Sequence, residues 1–139
     1  MTNLSLTYEV ALYLRGDKLD PRHVSAMLGV EPTEAQKKGE SRVTSTNKHF
    51  YTKTGLWSLV DKRDSMDLGA FIEEISEKFG DKSVAEIAGV DEAYVDIFVA
   101  KNSDEDGGGT HAFEVSQKSI LALSGLGLSI RVTVAIVKE

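Results

Sequence analysis

Apolar and polar residues alternate with period two near both ends of the chain and recur at helical spacing between them. From Leu4 to Leu14 the even positions are Leu4, Leu6, Tyr8, Val10, Leu12 and Leu14, with Ser5, Thr7 and Glu9 between them and Arg15 just beyond. This alternation predicts a strand with one buried face. At the other end Leu128, Ile130, Val132, Val134 and Ile136 alternate against Ser129, Arg131, Thr133 and Ala135, the clearest strand of all. Asp20-Pro21 supplies an N-cap and a first-turn proline, and Val24, Met27 and Leu28 form a stripe that stops at Gly29, so a short helix is expected over 20–28. Leu68, Phe71, Ile72, Ile75 and Phe79 recur at helical spacing opposite Glu73, Glu74 and Glu77, with Gly80 to end the helix.

The remaining segments carry weaker periodicity. Residues 33–54 are polar and basic and read as a long loop with a strand near 40–45, before a short apolar strand Leu56 to Val60 and a turn over Asp61–Asp67. A helical piece at 82–88 extends the long helix, and Tyr94 to Ala100 is an apolar run broken only by Asp96, as expected of a central strand. After an acidic, glycine-rich loop at 102–109 come a short strand Ala112–Val115 and a helix capped by Ser116 and closed by Gly125. Strands and helices interleave while the end strands show one wet face, which predicts an α+β domain over 1–139. Its sheet should be mixed or antiparallel, with helices packed mainly on one face. The unit Tyr8 to Gly29 has an echo in Tyr94 to Gly125, with Val24 matching Ile120 and Met27 matching Leu123, so a duplicated βα, ferredoxin-like arrangement is expected.

Composition narrows the chemistry. The chain has 139 residues, no cysteine and a net charge of −6; disulfides, thiolate nucleophiles, iron–sulfur clusters and cysteine-ligated zinc are excluded, and a reducing cytoplasm suits it. No stretch is long and apolar enough to span a bilayer, so no membrane association is expected. The charge is uneven: residues 61–114 hold 5 basic and 15 acidic side chains, whereas the segments on either side each carry a net +2. Such a surface repels nucleic-acid phosphates and attracts basic partners.

Individual motifs give no reacting centre. Asn102, Asp104, Asp106 and Gly107 match the first half of a calcium loop, but Phe113 falls where a bidentate Glu is required. His23, His49 and His111 lack zinc-ligand spacing, no nucleophile elbow surrounds Ser41, and the carboxylates Glu73 and Glu77 belong to a wet helix face. No catalytic residue, metal or cofactor is therefore expected. The basic stretch Lys37, Lys38, Arg42, Lys48 and Lys53, interleaved with His49, Phe50 and Tyr51, suits weak single-stranded nucleic-acid binding by stacking, although the acidity of the remainder disfavours it.

The run Tyr13 to Thr33, then Lys38-Gly39, Gly55-Leu56-Trp57-Ser58, and Phe113 to Ser116 down to Leu126-Gly127-Leu128 resembles the bacterial family catalogued as domain of unknown function 4279. The resemblance spans most of the chain, is least typical over 40–54, and implies no activity and no catalytic residues. In size and acidity the chain is also similar to immunity proteins that neutralise basic toxins, a likeness of composition only.

The function expected is therefore a non-enzymatic protein-interaction domain, of the immunity or antitoxin type, meeting a basic protein such as a toxin. Its acidic surface comprises Asp64, Glu73, Glu74, Glu77, Asp104, Glu105 and Asp106. The alternative is a small-ligand or enzymatic domain with a pocket near the 33–54 loop, formed by Arg15, Asp17, Lys38 and Trp57.

Overall fold

The computed structural model describes residues 6–63, 68–80, 83–103 and 114–138. Strand β1 (Leu6–Gly16) forms the middle of a five-stranded sheet, and Asp20 starts the helix that follows it, α1 (Pro21–Leu28). The Asp20 carboxylate accepts the Arg22 N–H at 3.1 Å, Pro21 fills the first turn, and Gly29, at φ 70°, returns its N–H to the Ser25 carbonyl. Next come β2 (Glu34–Gln36), β3 (Ser41–Val43), β4 (His49–Tyr51) and β5 (Gly55–Arg63). The chain continues through α2 (Leu68–Phe79), a 3-10 turn at Val84–Glu86, β6 (Glu92–Ser103), α3 (Gln117–Gly125) and β7 (Ser129–Lys138).

The sheet order is β2-β5-β1-β6-β7, and β3 and β4 form a separate hairpin. All pairings in the main sheet are antiparallel except β6 with β7, which α3 connects as a parallel crossover. The architecture is thus α+β with a mixed sheet, as the interleaved pattern predicts. Tyr8, Val10, Leu12 and Leu14 of β1, Trp57 of β5, and Val95, Ile97 and Val99 of β6 line the covered face. There they meet Val24 and Leu28 of α1, Phe71, Ile72, Ile75 and Phe79 of α2, and Leu123 of α3 in one core. Among the described residues the three helices share that face, and none packs on the other.

Several expectations change at the level of elements. The 33–54 loop is largely built: β2 extends the sheet beyond β5, and the strand expected near 40–45 exists as β3, paired with β4. A buried threonine closes the hairpin's base, where Thr52 Oγ1 donates to the Lys37 carbonyl and accepts the Glu40 N–H. Strand β5 runs past Val60, because Asp61, Lys62 and Arg63 continue the ladder opposite Val10, Glu9 and Tyr8; ladder pairing outweighs their polar composition. Asn102 and Ser103 likewise extend β6. The helical piece at 82–88 shrinks to the 3-10 turn, since Ile87 is already extended and Gly89, at φ 90°, sits against the Lys18 carbonyl. Glu114 and Val115 lie in no strand, and the rest of the segment expected to pair there, 112–113, is outside the described residues.

The internal echo is offset. Val24 is buried and Ile120 half exposed, whereas Met27 is exposed and Leu123 buried; burial aligns Val24 with Ser119 and Leu28 with Leu123 instead. Pairing differs too, because β1 meets β5 antiparallel whereas β6 meets β7 parallel.

Candidate functional site

The residues between the apolar positions of β1 create the open face. Glu9, Ala11, Tyr13 and Arg15 stand across from Phe98, Asp96, Tyr94 and Glu92 of β6, and beyond these Arg131 and Thr133 of β7 lie across from Asp96 and Phe98. Directly opposed tyrosines stack, with ring centroids 5.4 Å apart and planes 29° from parallel. Arg15 donates from Nε to the Tyr94 hydroxyl at 3.1 Å. Arg131 leans away from Asp96, its register partner, placing its guanidinium carbon 3.8 Å from the Tyr94 ring centroid and Nη2 3.1 Å from Glu92 Oε2. A cation–π contact and an ion pair together hold it there.

That lean leaves Asp96, among the described residues, with only a long contact from the Thr133 hydroxyl, at 3.5 Å. Asp96, Glu9, Tyr13 and Phe98 surround a cavity of about 240 Å³ over the small, buried Ala11. Among the described residues neither Glu9 nor Asp96 has a salt-bridge partner, although Lys62 occupies the register position across from Glu9. The negative field is felt locally: burial first, and then the carboxylates of Asp96 and Glu9, push the Tyr13 hydroxyl above its ordinary pKa. Two carboxylates, two aromatic walls and an apolar floor suit an organic cation, an ammonium or guanidinium on an aliphatic stem.

The pocket expected from Arg15, Asp17, Lys38 and Trp57 is divided by the sheet. Asp17 and Lys38 are brought together as an ion pair of 3.3 Å, and Arg15 belongs to the open face with Tyr94. Trp57 pairs across from Leu14, so it points to the covered face, where it is fully buried and donates from Nε1 to Ser25 Oγ at 3.0 Å. Beside it, a wide groove of about 560 Å³ runs along α1 between Pro21 and Pro32, with Arg22 and Glu31 as its only charged lining residues.

Of the acidic residues, Glu73, Glu74 and Glu77 are exposed on α2, and Glu73 binds Lys118 at 3.3 Å. Asp64, Asp104, Glu105 and Asp106 lie outside the described residues, as do most of the calcium-loop stretch and His111. His23 and His49 are exposed, and no group of three or more metal-ligating side chains is found among the described residues. Three of the five bases of the 37–53 stretch have acidic partners: Lys37 with Asp20, Lys38 with Asp17, and Arg42 with Glu40. The Lys37 N–H and, after it, the Arg42 guanidinium hold the Glu40 carboxyl below the usual carboxylate range.

A sequence model of the family described as Domain of unknown function (DUF4279) matches residues 6–136. The chain belongs to that family. No curated protein and no solved structure matched it. The matched span of this DUF4279 chain covers both faces of the sheet, including every residue around the Ala11 cavity. The sequence pattern alone did not single out Glu9, Tyr13, Asp96 and Phe98. The available signal was the charge at Asp96, which shares the parity of Tyr94 and Phe98 and so marks the side of β6 that turns away from the helices.

Proposed function

We propose that this protein is a non-enzymatic interaction domain that takes a lysine or arginine side chain of a basic partner protein into the Ala11 cavity. The observation carrying this reading is the pair of carboxylates, Glu9 and Asp96, set beside Tyr13 and Phe98 with no salt-bridge partner among the described residues. A bound cation gains charge-assisted hydrogen bonds and a ring face at once, contributions of about 1.5–3 and about 0.5–2 kcal/mol. The exposed glutamates of α2 lie on the helical side of the sheet, away from the cavity, and add only to the overall negative field. A toxin-neutralising inhibitor is one member of this class. A cysteine-free composition is compatible with work in a reducing compartment such as the cytoplasm.

The test is a titration with N-acetyl-lysine amide and N-acetyl-arginine amide, following backbone amide shifts by NMR. Shifts should concentrate at Glu9–Tyr13 and Asp96–Phe98, weaken with salt, and fall about tenfold in affinity or more for Asp96→Asn. Equal shifts with uncharged N-acetyl-norleucine amide, or no response at these positions, would overturn the reading.

A further inference from the structure

The edge strand β7 carries an observation independent of that cavity. On the covered side of the sheet Val132, Val134 and Ile136 are 50%, 61% and 71% exposed. Ile120 of α3 is also half exposed and shares a groove of about 370 Å³ with Leu128 and Ile130, so the apolar surface runs from the strand onto the helix. From Val132 to Val137 there is no charge, proline or glycine. A ten-residue edge of this kind invites strand pairing, and soluble proteins ordinarily blunt such edges. The opposite edge shows the usual treatment, since β2 is three residues long.

We infer that β7 pairs antiparallel with β7 of a second copy of this chain, about a two-fold axis passing at Thr133. The strand's own sequence accommodates this occupant in this register. Antiparallel partners share a side of the sheet, so a two-fold axis must set even positions against even ones if apolar residues are to meet. Centring at Thr133 places Ile130 against Ile136 and Val132 against Val134, so that every apolar side chain of β7 on that side finds an apolar partner. On the open side Thr133 meets its own copy, a favourable cross-strand pair, and Arg131 faces Ala135 while Glu92 keeps its charge compensated. Centring at Arg131 would oppose two guanidinium groups, and centring at Ile136 would leave most of the apolar stretch unpaired. The strong excess of acid lies in residues 61–114, whereas β7 itself contains no Asp or Glu. The product is a continuous ten-stranded sheet with all helices on one side and both open faces on the other.

Since the chain has no cysteine, single substitutions report the register directly. Thr133→Cys should form an intermolecular disulfide rapidly under mild oxidation, because the two thiols face each other within bridging distance, whereas Ser129→Cys should not link to its own copy. The natural chain should sediment as a concentration-dependent dimer, and Val134→Lys should sediment as a monomer with unchanged circular dichroism. A natural chain that stays monomeric at its highest soluble concentration would overturn the inference. So would Thr133→Cys linking no faster than Ser129→Cys, a result that stands even if Val134→Lys fails to fold. None of these readouts involves the Ala11 cavity, so the two proposals can fail separately.

Discussion

Strands β1 and β7 share one binary pattern and have opposite fates. In β1 the apolar positions Tyr8, Val10, Leu12 and Leu14 are each 2% exposed or less, roofed by helices and flanked on both sides by paired strands. In β7 the equivalent alternation ends in Val132, Val134 and Ile136, all at least half exposed, on a strand with one neighbour among the described residues. Alternation therefore reports that a strand has an apolar side, while the position of the strand in the sheet decides what covers it. Where the chain's own described elements do not cover that side, burial has to come from another molecule.

The contrast is sharpest at Leu12, which is completely buried at the centre of the sheet. Leu12→Ala should cost about 2–5 kcal/mol, because the surrounding helices and strands can only partly collapse into the space; urea denaturation followed by Trp57 fluorescence measures it. A smaller effect is expected where β1 ends. A Cβ added at Gly16 would run into the Gly89 carbonyl oxygen, and the neighbouring Asp91 N–H donates to the Arg15 carbonyl at 2.8 Å, so backbone and not a flexible side chain would have to move. Gly16→Ala should therefore cost about 1–3 kcal/mol in the same measurement. A cost near zero would show that the end of β1 is as open as β7.

The same distinction explains what could be read from the residues. Local chemistry was legible wherever one residue acts on its neighbours: Asp20 and Ser116 cap helices as their positions predict, and the apolar stripe of α2 is the buried one. Strand existence was legible from alternation. Strand partners were not, because pairing of β1 with both β5 and β6 joins residues far apart in sequence. The short β2, β3 and β4 carry too few residues to establish a period, and their hairpin depends on non-local contacts such as Arg42 Nη2 to the Ala35 carbonyl. The cavity around Ala11 was hidden for the same reason. Glu9 and Asp96 are ordinary isolated carboxylates in sequence, and only the antiparallel register of β1 with β6 places them together. Trp57 shows the converse: composition marks it as notable, yet its parity with Leu14 assigns it to the core.

The smallest expected effect is also the most direct way to break the comparison. Val134→Thr keeps shape and strand propensity while adding a hydroxyl, a change that is costly in a dry core and nearly free in water. At protein concentrations low enough for single chains, Val134 is 61% exposed, and the substitution should alter stability by no more than about 0.5 kcal/mol. As concentration rises and the strand edges meet, the natural chain should gain stability that the variant gains less of, because binding to the folded state alone adds to apparent stability by mass action. A penalty above about 1.5 kcal/mol in dilute solution would mean that the β7 face is already dry within one chain. The difference between β1 and β7 would then vanish. A penalty that grows with concentration would instead locate its burial between molecules.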